Sequence, residues 1–194
     1  DTGQNSSHML AVSEDGSVAY TSNGGSNSVS VIDVVNGQFV KAIQVLRRPE
    51  AITTNKSGDE IWVGSNNNAV VTVINPDDES VIAQWPGFDW PYRILVTDDE
   101  RYAVVPDLNN NNLRFFDARS KLELGAMDLP GSRPEGVALY SDDRTLFLTL
   151  AGQDKVMVID IESRRFLGEY EAGSAPDGIA FSPLVLRKTI NYQQ

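Results

Sequence analysis

The chain has 194 residues, a net charge of −11 and a pI near 4.4, and its 16 Lys and Arg are scattered. Phosphate binding needs a basic stripe, so nucleic acid is excluded as a partner and an anionic membrane surface is disfavoured. No apolar run reaches the roughly 18 residues of a membrane span, and the absence of cysteine removes disulfides, thiolate metal sites, a cysteine nucleophile and haem attached through C-x-x-C-H.

The opening DTGQNSS has neither a basic nor an apolar targeting region. From about His8 the chain settles into a repeating unit of four short strands divided by turn residues, the pattern of an antiparallel meander. The first unit, about 8–46, runs from MLAVS through the turn SEDG at 13–16 and the loop NGGSN at 23–27 to the strand SVSVIDV. The second, about 49–87, has NKSG at 55–58, NNN at 66–68 and VVTVINP. The third, about 91–130, has TDDE at 97–100, NNNN at 109–112 and LRFFDAR. The fourth, about 134–173, is the clearest, with RPEGVALYSDD, RTLFLTL, KVMVIDI and FLGEYEAG in succession. APDGIAFSP at 175–183 then supplies one more first strand, predicted over Ala175–Ser182, so that repeats fill 1–186 and 187–194 are a tail.

Three anchors lock the units together. Pro49, Pro91, Pro134 and Pro176 stand 42, 43 and 42 residues apart, with Ser7 in the equivalent place 42 before Pro49. The third strands end at Asp33, Asn75, Asp117 and Asp160, each 26 residues after its anchor. The first turn recurs as SEDG, NKSG, TDDE and SDDR, the last at 141–144 and so one residue late. The third strands are rich in β-branched and aromatic residues, and the Asn runs read as tight loops tolerating left-handed backbone. Adjacent apolar pairs such as Val31-Ile32 and Phe115-Phe116 suit strands covered on both faces. Trp62, Trp85 and Trp90 are expected to pack between sheets, and the paired acids Asp77-Asp78, Asp98-Asp99 and Asp142-Asp143 to be solvated turn residues.

A period near 42 with four strands per unit is that of a β-propeller blade, so the expected fold is all-β: four complete blades plus one strand. AVSEDGSVAYTSNGGSNSVSVIDV at 11–34 resembles the YVTN-type propeller repeat, and the likeness extends loosely over the other units. Similar repeats occur in archaeal surface-layer proteins, the β-subunit of quinohaemoprotein amine dehydrogenase, the haem domain of cytochrome nitrite reductases and lactonase-like enzymes. The resemblance implies seven blades. On that expectation the chain is the C-terminal part of a longer propeller and forms an open arc, the alternatives being a closed four-bladed ring or a second chain completing the ring.

One repeat position collects residues with chemistry. The residue after each anchor is His8, Glu50, Tyr92, Glu135 or Asp177, with Arg48, Arg93 and Arg133 beside them. Rotation between blades points these side chains at the mouth of the central channel. Such a set suits calcium bound through oxygen ligands, or a sugar-acid lactone met by a general base and an arginine. It equally suits turn residues whose acids pair with the arginines, the version favoured here. His8 is the only histidine, so a Ser-His-Asp triad elsewhere is excluded. The cofactor stays open. Two functions remain: an exported, periplasmic or extracellular scaffold presenting its channel mouth to a protein or small ligand, or a lactonase-like enzyme or quinoprotein-associated subunit with its site there.

Overall fold

The computed structural model describes residues 1–184, and the proposed tail at 187–194 lies outside them. Sixteen strands form four separate antiparallel sheets, each a meander in chain order. The first blade holds β1 (Ser7–Val12), β2 (Val18–Asn23), β3 (Ser28–Asp33) and β4 (Gln38–Gln44). The second holds β5 (Pro49–Thr54), β6 (Ile61–Ser65), β7 (Val70–Ile74) and β8 (Val81–Pro86). The third holds β9 (Leu95–Val96), β10 (Tyr102–Asp107), β11 (Asn112–Asp117) and β12 (Leu122–Asp128). The fourth holds β13 (Pro134–Leu139), β14 (Thr145–Leu150), β15 (Lys155–Asp160) and β16 (Arg165–Glu171). The one helical element among the described residues is a 3-10 turn at Asn66–Asn68. These are the blades of a β-propeller.

The backbone repeats more faithfully than the side chains do. Left-handed φ recurs in the first turn at Gly16, Gly58, Glu100 and Asp143, and again between second and third strands at Asn27, Ala69, Asn111 and Asp154. In each blade a backbone N–H beyond the second strand reaches the carbonyl just before the anchor: Gly24 to Ser6, Asn66 to Arg48, Leu108 to Trp90 and Ala151 to Arg133, at 3.0 to 3.1 Å. Every fourth strand carries one extra residue at the same place, Val40, Ile82, Leu124 and Leu167, opposite the steps after Val31, Val73, Phe115 and Val158 of the third strand. The fourth blade's first turn is therefore in register at Tyr140–Asp143, closed by the Asp143 N–H on the Tyr140 carbonyl, rather than one residue late at 141–144. Acidic similarity misplaced it. The turn is set by where a left-handed residue stands.

Two further expectations are corrected. The third blade's first strand shrinks to Leu95–Val96 plus a bridge from Pro91 to Asp107; what sets this blade apart is Pro106 in its second strand, where the other blades have Ser22, Gly64 and Thr149. The stretch predicted as a strand at Ala175–Ser182 is not one: among the described residues no strand pairs with it.

Three apolar cores lie between successive blades. Tyr20, Val29, Val31 and Ile43 meet Ile52, Ile61, Val63 and Ile74 of the second blade. Trp62, Val71, Val73 and Trp85 meet Ile94, Ala103, Val105 and Phe116 of the third. Val104, Leu113 and Phe115 meet Leu146, Leu148 and Ile159 of the fourth. Both faces of the inner blades are thus covered, which is why their strands read as apolar runs. Trp62 and Trp85 stack at 5.2 Å between centroids, as packing residues should, whereas Trp90 belongs to the inner rim. Among the described residues no hydrogen bond or ion pair joins the first blade to the fourth. Leu10, Val12 and Val34 stand exposed on the outer side of the first blade, so the four blades form an open arc.

The turn acids prove to be more than solvated. The Asp143 carboxylate accepts the backbone N–H groups of Asp98 and Asp99 at 2.7 Å, and Glu100 accepts the N–H and hydroxyl of Ser57. Both hold one blade to the next.

Candidate functional site

The rim is built by the left-handed residue before each anchor. Ser6, Arg48, Arg133 and Ala175 all have φ between 45° and 54°, which turns the chain sharply into the first strand and aims the following residue inward. Trp90 departs from this pattern: like Arg48, Arg133 and Ala175 it is followed by proline, yet it does not take the left-handed φ. Side chains lock the arrangement between blades. Asn27 Oδ1 accepts the Arg48 N–H at 3.0 Å, Asn111 Oδ1 that of Arg133 at 2.9 Å, and Asp154 Oδ1 that of Ala175 at 2.8 Å. In the second blade this place is Ala69, which has no acceptor. There the buried Asp107 carboxylate takes over, accepting the N–H groups of Asp89 and Trp90.

Between the first and third blades the rim encloses a concavity of about 410 Å³ lined by His8, Asn27, Arg48, Glu50, Asn67 and Trp90, with Gly24 and Gly25 at its wall. His8 Nδ1 lies 3.7 Å from Glu50 Oε1, while the other oxygen of Glu50 accepts from Asn66 Nδ2 at 2.5 Å. Arg48 does not pair with Glu50. Its guanidinium sits 5.1 Å from the centroid of Trp90 and meets no carboxylate of the described chain within 4 Å. A cation over an indole face is attracted by the ring quadrupole, which holds Arg48 in place and leaves its N–H groups free.

The other predicted residues form a second cluster. Arg93 Nη2 is 3.4 Å from Asp177 Oδ1, and the Tyr92 hydroxyl donates to Asp177 Oδ2 at 3.2 Å. Arg133 pairs with Glu135 at 3.4 Å. Burial pushes the Glu135 carboxyl up and Asp177 adds to this, against the pull of Arg133 and Arg93. Burial likewise raises the Tyr92 hydroxyl. The eight predicted residues therefore fall into two groups: His8, Glu50 and Arg48 around the open concavity, and Tyr92, Arg93, Arg133, Glu135 and Asp177 in a largely self-paired cluster. No group of three or more His, Asp or Glu placed to hold a metal is found among the described residues. Trp90 is the rim residue that the sequence reading missed. Its position just before Pro91, beside the anchor ring, was the available signal.

No family model matches the chain, and no curated protein matches it. Among solved structures it is similar to hydrazine synthase of Kuenenia stuttgartiensis, with a TM-score of 0.79 and 23% identity over 87% of this chain. The chain spans half the length of that structure's chain. At this identity the likeness concerns the fold.

Proposed function

We propose that the chain is a β-propeller scaffold of the YVTN type that binds a small carboxylate-bearing ligand in the concavity at His8, Arg48, Glu50 and Trp90. The observation carrying this reading is Arg48, a guanidinium over Trp90 with no acid partner among the described residues, in a chain of net charge −11. A planar, permanently charged fork is suited to clamp a carboxylate. An exported, periplasmic or extracellular placement is part of the proposal and rests on the resemblance of 11–34 to the repeats of surface-layer proteins. A protein partner would use the same rim by presenting an acidic side chain to Arg48.

The second reading, a lactonase-like enzyme or quinoprotein-associated subunit, rests on the contact of His8 with Glu50. A carboxylate beside an imidazole is a candidate general base. Hydrazine chemistry is not assigned to this chain.

Titration calorimetry with D-gluconate tests the proposal. Binding that is lost in Arg48→Ala and weakened in Trp90→Ala is expected, and binding unchanged in Arg48→Ala would refute it. Hydrolysis of glucono-δ-lactone that disappears in Glu50→Gln would favour the enzymatic reading instead.

A further inference from the structure

Two Asn-Gly pairs occur in the chain, and the fold treats them oppositely. Glycine puts no side chain in the way when its backbone nitrogen turns on the preceding amide, so such a pair is prone to lose that amide as ammonia. At Asn23-Gly24 every group is engaged. Asn23 is fully buried; its Oδ1 accepts from Ser7 and Thr21, its Nδ2 donates to Ser28 and Ser30, and the Gly24 N–H is held by the Ser6 carbonyl. Asn36 and Gly37 are both exposed. Among the described residues the Asn36 side chain is held by Asp33 alone, which accepts its Nδ2 at 2.7 Å and its backbone N–H at 2.9 Å.

The turn itself does not require this pair. It joins β3 to β4, and its counterparts in the next three blades place Asp78-Glu79, Ser120-Lys121 and Ser163-Arg164 at the same two positions. Gly37, Glu79, Lys121 and Arg164 all have φ between 54° and 65°, so the other three turns hold the left-handed conformation with a side chain present. The Glu79 and Lys121 N–H groups are held by the carbonyl four residues back, at 3.0 and 2.9 Å, whereas no such bond holds the Gly37 N–H among the described residues. The first blade alone thus sets an exposed amide beside an unencumbered nitrogen.

We propose that Asn36-Gly37 is a site of self-modification, at which the chain converts asparagine to aspartate and isoaspartate and so loosens the outer strand of its first blade. The Gly37 nitrogen bonds to Asn36 Cγ and gives its proton to water, while the Cγ–Nδ2 bond breaks and the amide nitrogen takes up a proton and leaves as ammonia. Water then opens the cyclic imide at either carbonyl. One product is an aspartate, which the second blade already accommodates as Asp78. The other is an isoaspartate, whose main chain runs through the side-chain carbon and is longer by a methylene. Both products lose the Nδ2 donor that holds the Asp33 carboxyl below the usual carboxylate range, and both add a carboxylate near it. Only the longer one also breaks the geometry of the turn. The strand beyond it, β4, pairs with β3 alone, yet it carries two groups that tie the first blade to the second: Lys41, which reaches the Pro76 carbonyl at 2.8 Å, and Ile43 of the first inter-blade core.

The test keeps the full chain folded in warm, mildly alkaline buffer, digests it and maps the peptides by chromatography and mass spectrometry. Peptides containing position 36 are expected to split into two products, each with the mass shift of an amide exchanged for a carboxyl. Asn23 should convert at least about tenfold more slowly, because its reaction waits for the blade to open. Gly37→Lys, which gives the turn the residue of the third blade, should slow conversion at Asn36 at least about tenfold. The converted chain, isolated by ion exchange, should exchange the amide hydrogens of 39–44 at least about threefold faster than Asn36→Asp does. Asn36→Ser, also taken from the third blade, cannot react and should keep its β4 protection on the same incubation. An intact position 36, equal conversion at Asn23, ageing of Gly37→Lys at the parent rate, or the same loss of β4 protection in Asn36→Ser would each overturn the proposal.

Discussion

Asn111 lies in the third blade and Arg133 at the entrance to the fourth, and the Asn111 side-chain oxygen holds the Arg133 backbone N–H at 2.9 Å. Asn111 also sits at φ 54°, a region that asparagine visits at little cost. One residue thus satisfies a turn and ties two blades together. Asn111→Ala loses the acceptor and keeps the unfavourable φ, so it should destabilise the chain by about 1–2 kcal/mol. Asn111→Asp, which keeps the oxygen, should cost less than about 0.5 kcal/mol. Urea denaturation of the two variants checks this, and equal losses would refute it.

Gly136 packs so closely on the Asp177 carbonyl that a Cβ there would collide with it, and its own N–H is held by the Thr149 hydroxyl. Gly136→Ala should therefore release the segment after Ala175 while leaving β14–β16 in place. Faster hydrogen exchange at residues 177–181, with unchanged protection in β15, is the expected result.

Trp62 is fully buried between the second and third blades, stacked on Trp85 and bonded through its indole N–H to Glu60. Trp62→Ala should cost about 3–5 kcal/mol, the range for an aromatic lost from a packed core. Trp90→Ala, at the half-exposed rim, should cost clearly less. A reversed order in chemical denaturation would show that the second core does not hold the arc together.

The turn carboxylates set the acid limit. The Ser13 hydroxyl, then the Ser17 backbone and hydroxyl, lower Asp15 to about 2, while Asn36 lowers Asp33 and Ser120 lowers Asp117. A depressed folded pKa contributes stability that is present above the unfolded value, about 3.9 for Asp, and lost as pH falls toward 2. Asp15→Asn should lower the melting temperature at about pH 6, with the difference vanishing near pH 2.

Glu135 works in the opposite sense. Its raised pKa means that ionisation opposes folding, so its contribution is present below about pH 4 and is lost as pH rises through the folded value. Glu135→Gln should raise the melting temperature at about pH 7 and lose that advantage on acidification. A variant less stable than the parent at about pH 7 would show that the pair with Arg133 outweighs burial.

The blades were legible because period, turn residues and strand composition are local properties that repeat in every unit. The anchor positions were legible for the same reason, and the carbonyl before each of the first four accepts an N–H from beyond the second strand of its blade. What the residue pattern could not settle was decided by neighbours distant in sequence. Arg48 was expected beside an acid, yet Trp90, 42 residues away, supplies the ring face on which it rests. The acids at Glu100 and Asp143 look like solvated turns in isolation and become clips only when the preceding blade brings N–H groups to them. The stretch over Ala175–Ser182 has the residues of a first strand but not its ladder. Its own sequence supplies one edge's donors and acceptors, and a strand exists only when another chain segment answers them.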